Sequence, residues 1–157
     1  MHRVLAILAR MPDAHADRHE IEYILDLYAT IIVEREYERL TEVFLPDAVL
    51  DYSSSGAEPG PLHPVAAWIE KGLSLFARSQ HMIVNKQVEL AGDKAHSHAL
   101  FFNPLVARDG DVMFVGGAYD DQWLRTPVGW RIIERVQETT WTFGLPELRA
   151  EGDDTDG

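Results

Sequence analysis

Cysteine is absent from this chain of 157 residues. Its absence excludes disulfides, thiolate nucleophiles and cysteine zinc sites, and it suits a reducing compartment. Long apolar runs are missing too, because the N-terminal stretch HRVLAILAR has an apolar centre too short to span a bilayer and no convincing cleavage site. We therefore predict a soluble, cytoplasmic protein that does not associate with membranes.

Basic residues are scarce as well. The chain has 14 Lys and Arg against 26 Asp and Glu, for a net charge of -12 and a pI near 4.9. Such a charge repels phosphate backbones and anionic lipids, and no basic run offsets it. No glycine-rich phosphate loop is present either. We therefore expect no nucleic-acid partner and no cofactor.

A metal site is also not expected. His96 and His98 share one face of a strand by the period of two, but no third ligand follows at a readable spacing. We expect these two histidines to be exposed or to lie at a dimer interface.

Two helices are predicted in the first half of the chain. The segment from Asp17 to Leu40 has apolar residues at helical spacing, and Asp17 followed by Glu20 resembles a helix start. The segment from Val65 to Ala77 repeats the pattern. Between them, Pro46 interrupts the chain, a short strand is expected around Ala48 to Ser53, and a loop rich in glycine and proline follows.

Four strands are predicted after Gln80, where β-branched and aromatic runs alternate with the turn strings AGDK, ARDGD and TPVG. Their predicted bounds are His81 to Leu90, Ala95 to Val106, Val112 to Arg125 and Trp130 to Thr142. Helices followed by an antiparallel meander indicate an α+β fold with helices on one face of a curved sheet. We assign 1–16 to an N-terminal extension, 17–144 to one domain and 145–157 to an acidic, disordered tail.

Several strings, taken in order, resemble one known family. They are DRHEIEYILDLYA, EYERLTEVFLPDAVLDYSSSG, SQHMIVNKQVELAGDKAHSHA, GGAYDDQWLRTPVGWRI and ETTW. Together they are similar to the SnoaL-like (polyketide cyclase and dehydratase) branch of the nuclear transport factor 2-like (NTF2-like) superfamily. The resemblance implies a cone in which a strongly bent antiparallel sheet and N-terminal helices enclose a deep apolar pocket. It also implies a homodimer or higher homo-oligomer.

The resemblance implies roles for three side chains. In dehydratase-like members a histidine on the first long strand pairs with an aspartate on the first helix, while tyrosines polarise a substrate carbonyl. His81 falls at the position of that histidine, Tyr52 matches a pocket tyrosine, and Tyr28 matches a helix tyrosine that donates to an oxyanion. A histidine pKa near 6.5 suits proton transfer at neutral pH.

The sequence departs from the family pattern at the partner of this histidine. Val33 occupies the position of the pairing aspartate, five residues after Tyr28, and Asn103 or Pro104 replaces a second histidine. The orienting partner of His81 must therefore come from elsewhere. The candidates, in order of preference, are Asp120, Glu34 and Asn103. The remaining pocket wall is predicted to include Val33 and the aromatic residues Trp68, Phe102, Phe114 and Trp141.

The predicted function is acid-base chemistry, with dehydration first, on a hydrophobic cyclic small molecule such as a steroid, terpenoid or polyketide. His81 would transfer the proton, and Tyr52 and Tyr28 would bind an oxygen on which charge develops. Two alternatives remain open at this stage. One is a small-molecule binding protein without catalysis, and the other is an assembly subunit resembling the small subunit of ring-hydroxylating dioxygenases.

Overall fold

The computed structural model describes residues 13–144. It contains α1 (Ala14–Glu34), β1 (Phe44–Asp51), β2 (Gly60–Pro61), α2 (Leu62–Leu73), β3 (Phe76–Ser79), β4 (Met82–Ala91), β5 (Lys94–Ala107), β6 (Val112–Thr126) and β7 (Gly129–Phe143). Two short 3-10 helices span Tyr37–Glu42 and Ser53–Ser55. In this part of the chain, no helix is long and apolar enough to cross a membrane.

The first helix differs from the prediction at both ends. It begins after Asp13, whose side chain accepts hydrogen bonds from the backbone N–H of His15 and Ala16, at 2.9 and 3.4 Å. Asp17 is therefore not the cap. Its buried carboxylate accepts from Nη1 of Arg125 at 2.6 Å and from the indole of Trp130 at 3.0 Å, which ties the helix to the sheet.

The predicted continuation of this helix to Leu40 is wrong. Arg35 has a left-handed backbone conformation with φ 61° and ends α1, so the chain continues in a separate 3-10 helix. The second helix was likewise predicted too far along the chain, since it ends at Leu73 and Phe76 already starts β3. Phe76 and Ser79 pair with Ala107 and Leu105 of β5, and this tertiary pairing overrides the helical periodicity.

The sheet confirms the α+β class and the cone expected for an NTF2-like domain. Its order is β2-β1-β7-β6-β5-β3, with β4 also paired to β5. The sheet is mixed, because β1 pairs with β7 in parallel while the other pairs are antiparallel. The four strands predicted after Gln80 correspond to β4 to β7, and no bound differs by more than one residue.

Two irregularities in β7 decide which side chains face the helices. Ile132 pairs with Trp123 and Glu134 pairs with Gln122, so Ile133 is an extra residue in β7. Thr139 pairs with Gly117 and Trp141 with Gly116, so Thr140 is a second extra residue. Each bulge changes which alternate residues of β7 lie on the concave face.

The predicted N-terminal extension and acidic tail lie mostly outside the described residues. Only 13–16 of the assigned extension are described, and residues 14–16 belong to α1. The domain boundaries therefore stay a prediction.

Candidate active site

A cavity of about 320 Å³ lies between the two helices and the concave face of the sheet. Its walls are mainly apolar and come from α1, α2 and strands β5 and β6. The apolar and aromatic lining residues include Ile32, Trp68, Ile69, Leu73, Phe101, Leu105, Met113 and Val115. The cavity therefore suits a hydrophobic ligand, with a small number of polar groups to orient it.

Tyr28 and Tyr52 bring two hydroxyl groups together at this cavity. Tyr28 lies on α1, Tyr52 directly follows β1, and their hydroxyl oxygens are 2.8 Å apart. Both side chains are buried, and this burial raises the pKa of each phenol well above its ordinary value. Both tyrosines therefore remain protonated at neutral pH and act as hydrogen-bond donors rather than bases.

His81 lies in the same wall, one residue before β4. Its Nε2 is 3.1 Å from the hydroxyl of Tyr119, and its ring stacks on Phe101 with the ring centroids 5.7 Å apart. Burial, and then the positive charge of Arg135, lower the pKa of His81 to about 4, while Asn103 acts in the opposite direction. The imidazole is therefore neutral at pH 7 and has a lone pair for accepting a proton.

A buried ion pair lies behind these rings. Arg135 donates from Nε and Nη2 to the two carboxylate oxygens of Asp121, at 2.7 and 2.8 Å, and both side chains are fully buried. The guanidinium carbon lies 4.1 Å from the ring centroid of Tyr119 and 4.3 Å from that of Tyr28. Nη1 of Arg135 is buried and has no hydrogen-bond partner among the described residues.

A second polar group lies in the cavity wall. Gln137, which is buried on β7, accepts a hydrogen bond from the hydroxyl of Ser55 at 2.9 Å and donates to the hydroxyl of Thr139 at 2.8 Å. Both Ser55 and Gln137 line the cavity. The two residues offer a ligand a further anchoring point besides the tyrosine and histidine groups.

Tyr119, Asp121 and Arg135 were not among the residues predicted from the sequence. The alternation of side chains along β6 could have indicated two of them. Tyr119 and Asp121 share one face of the strand with the buried Trp123, so both are expected to face the core. Arg135 had no such signal. A regular strand would place Ile132 and Glu134 on one face and Arg135 on the other, and only the bulge at Ile133 turns Arg135 toward Asp121.

The first candidate for the partner of His81 is wrong. Asp120 lies on the convex face, where its Oδ1 is 3.0 Å from Nδ1 of His98 and 3.4 Å from Nε2 of His96. Glu34, the second candidate, is exposed at the end of α1 and lines a surface groove between α1 and β4 that His81 also lines, so its role stays a prediction. Asn103, the third candidate, lies in the cavity wall together with His81.

Four of the predicted wall residues lie elsewhere. Phe102, Phe114 and Trp141 form a stacked cluster on the convex face, because Phe101 and Val115 take the inward positions and the bulge at Thr140 turns Trp141 outward. Val33 lines the surface groove and is 38% exposed, because the buried residues of this part of α1 are Ile31 and Ile32. Trp68 lies in the cavity wall, with its ring centroid 6.5 Å from that of Tyr52.

The fold and the cavity define a class of protein: an α+β cone of the NTF2-like type whose interior carries an imidazole and several hydroxyl groups. The sequence profile of the SnoaL-like domain matches residues 13–136. The uncharacterized protein Rv2910c of Mycobacterium tuberculosis is 41% identical over 125 residues, which are 78% of this chain and 84% of that protein. The chain belongs to the SnoaL-like family.

Solved structures show the same fold. The Kfla4162 protein of Kribbella flavida superposes with a TM-score of 0.76 and 28% identity, covering 83% of this chain and 95% of that one. A type 2 hexachlorocyclohexane dehydrochlorinase, LinA, gives a TM-score of 0.72 at 13% identity and covers 88% of this chain and 95% of its own. These superpositions show that the chain shares its fold with both proteins.

Proposed function

We propose that this protein is a dehydratase that removes water from a hydrophobic cyclic small molecule, such as a steroid, terpenoid or polyketide, by proton transfer through its own side chains. The observation that carries the proposal is the 3.1 Å contact between Nε2 of His81 and the hydroxyl of Tyr119 inside the apolar cavity. Membership of the SnoaL-like family and the structural similarity to a dehydrochlorinase support an elimination reaction.

The first step is proton abstraction from a ring ketone that carries a hydroxyl group on its β-carbon. The substrate displaces Tyr119 from Nε2 of His81, and this nitrogen accepts the proton from the α-carbon. The electron pair of the C–H bond moves toward the ketone oxygen. Of the two hydroxyls in the Tyr28–Tyr52 pair, the accepting one still has its own proton free, and that proton stabilises the enolate oxygen.

The second step expels the hydroxyl group. The enolate returns its electron pair to form the carbon–carbon double bond while the bond to the β-hydroxyl breaks. The imidazolium of His81 donates the abstracted proton to the leaving oxygen, so the products are an unsaturated ketone and water. His81 is again neutral after this step, which agrees with the lowered pKa of its imidazole.

Substrate identity is the first thing to measure. Native mass spectrometry of the purified protein, followed by extraction, tests for a bound cyclic ketone from the expression host. A panel of cyclic β-hydroxyketones in D₂O then tests for deuterium exchange at the α-carbon and for loss of water. Exchange without dehydration would support proton abstraction and contradict the dehydratase assignment.

The role of His81 is tested with a matched pair of variants. We expect His81→Gln to lower turnover by about 10² to 10⁴-fold, the usual contribution of a general acid-base group. His98→Gln changes a histidine on the opposite face of the sheet and should leave turnover unchanged. Retained turnover in a folded His81→Gln variant would show that His81 has a structural role and that the proposal is wrong.

A binding protein without catalysis is the second candidate. It is favoured by one observation: no Asp or Glu lines the cavity among the described residues, so a protonated His81 would have no carboxylate beside it inside the cavity. If the protein only binds its ligand, the extracted ligand stays chemically unchanged when it is incubated with the protein again. His81→Gln would then alter the Kd of that ligand, and no protein variant would show turnover.

A further inference from the structure

The residue that lies beside His81 on the neighbouring strand is Asn103. The antiparallel register of β4 and β5 pairs Met82 with Phe102 and Ile83 with Phe101. One more step of the same register brings His81 beside Asn103. The strands stay together at this point, because the backbone N–H of Gln80 donates to the carbonyl of Pro104 at 3.0 Å.

Two buried atoms in this pair form no hydrogen bond of normal geometry. They are Nδ1 of His81 and Oδ1 of Asn103, and neither has another partner of normal geometry among the described residues. The other ring nitrogen of His81, Nε2, is occupied by Tyr119. A protonated Nδ1 and an amide oxygen are complementary donor and acceptor, and burying both without a bond would be unfavourable. The influence of Asn103 on His81 favours the protonated ring, as expected for an acceptor.

We propose that Asn103 is the positioning residue of His81, whose Nδ1–H donates to Oδ1 of Asn103 while the lone pair of Nε2 points into the cavity. This inference rests on the proposed function and specifies how the proton-accepting nitrogen is selected. The resemblance to the SnoaL-like family implied an aspartate of the first helix in this role, at the position that Val33 occupies. Here a neutral amide from β5 replaces a charged group from α1.

A neutral partner has a chemical consequence. A carboxylate bonded to Nδ1 stabilises the imidazolium, whereas an amide orients the ring without adding charge. The other titratable groups around His81 inside the cavity do not supply a negative charge. They are Tyr28 of α1, Tyr119 of β6 and the cationic Arg135 of β7, with Tyr52 beyond Tyr28. The carboxylates Asp26 and Glu34 of α1 are exposed to water and line the outer groove that His81 also borders. His81 therefore stays neutral over a wide range of acidic pH.

The test uses the free protein and needs no substrate. Side-chain nitrogen NMR distinguishes the two imidazole tautomers and follows the titration of each histidine. We expect wild-type His81 to hold its proton on Nδ1. Asn103→Asp should raise the pKa of His81 by about one to three units, because an adjacent carboxylate favours the charged ring. Asn103→Leu, which is close in volume, should leave a mixture of tautomers.

A control variant separates this effect from general changes in the cavity. Gln137→Leu removes an amide from the same cavity without touching His81, so it should leave the tautomer and pKa of His81 unchanged. An unaltered tautomer and pKa in both Asn103 variants would overturn the proposal. If Asn103→Asp does not fold, the tautomer of His81 in the Asn103→Leu variant still tests the proposal.

A kinetic measurement adds the second half of the test. On any substrate found for the wild-type protein, Asn103→Leu should lower kcat with little change in KM, because Asn103 orients the base and does not bind the substrate. Asn103→Asp should restore part of kcat and move the acidic limb of the pH profile upward by the shift seen in NMR. A tautomer fixed by Asn103 in a protein without turnover would reject the proposed function and retain this inference.

Discussion

His81 couples the protonation state of one side chain to the stability of the whole domain. Its pKa falls from about 6.5 in the unfolded chain to about 4 in the folded protein, so the unfolded state binds more protons between these values. The free energy of unfolding should therefore decrease as the pH is lowered from 6.5 toward 4, by roughly 3 kcal/mol in total.

Urea denaturation of the wild-type protein and of His81→Phe over this pH range would check the prediction. Other groups titrate too, but they are common to both proteins, so the difference between the two curves isolates His81. The wild-type curve should fall more steeply with decreasing pH. Parallel curves would mean that His81 has the same pKa in the folded and unfolded states.

Asp121 and Asp120 offer a comparison between adjacent carboxylates on opposite faces of β6. Asp121→Ala leaves the buried charge of Arg135 without its partner and should lower the free energy of unfolding by about 3–5 kcal/mol. Asp120→Ala removes a half-exposed group and should cost no more than about 1 kcal/mol. Equal effects in chemical denaturation would contradict the buried ion pair.

At the scale of elements, β6 and β7 approach each other closely at the second bulge. A Cβ added at Gly117 would lie 1.9 Å from the carbonyl oxygen of Glu138 and 2.7 Å from the ring of Phe101. Because a backbone atom cannot move aside cheaply, Gly117→Ala should destabilise the protein by about 1–3 kcal/mol.

The matched glycine variant lies in a different element, and it is Gly72→Ala in α2. A Cβ at Gly72 meets no atom within 4 Å, and alanine favours the helix, so this change should raise the free energy of unfolding by up to about 1 kcal/mol. Thermal denaturation of both variants gives the comparison. A neutral Gly117→Ala would show that β6 and β7 are not in close contact at the bulge.

At the scale of the whole molecule, the convex face of the sheet has aromatic side chains in water. Trp141 is 48% exposed and Phe143 is 69% exposed, and they extend the stack formed by Phe102 and Phe114. Exposed apolar patches of this kind mark interaction surfaces. The homo-oligomer expected from the sequence stays a prediction, and we predict that a second copy of the chain covers this face.

Light scattering across protein and salt concentration tests the prediction. Each copy has a net charge of -12, so moderate salt should favour association by screening the repulsion between copies. Trp141→Glu should produce monomers, whereas Val128→Glu, at an exposed turn between β6 and β7, should not. A wild-type protein that is monomeric at tens of micromolar concentration would contradict the prediction.

The sequence by itself determined the two main helices, the four long strands and the order in which they follow one another. Periodicity located both main helices and the four long strands because hydrophobic spacing reflects local geometry that each segment carries alone. It erred where distant residues intervene: β3 forms only by pairing with β5, and α1 ends at the left-handed Arg35. The resemblance placed Tyr28, Tyr52 and His81 in one group, and the structure brings all three to one cavity.

Only the tertiary structure decided which face of the sheet each residue of β5 to β7 occupies. The bulges at Ile133 and Thr140 reverse the alternation, so that Arg135 points inward and Trp141 outward. The alternation of apolar and polar residues along a strand does not show where an extra residue is inserted. The insertion is stabilised by the partner strand rather than by the strand's own sequence. For the same reason Asn103 could not be ranked above Asp120 until the register of β4 and β5 placed it beside His81.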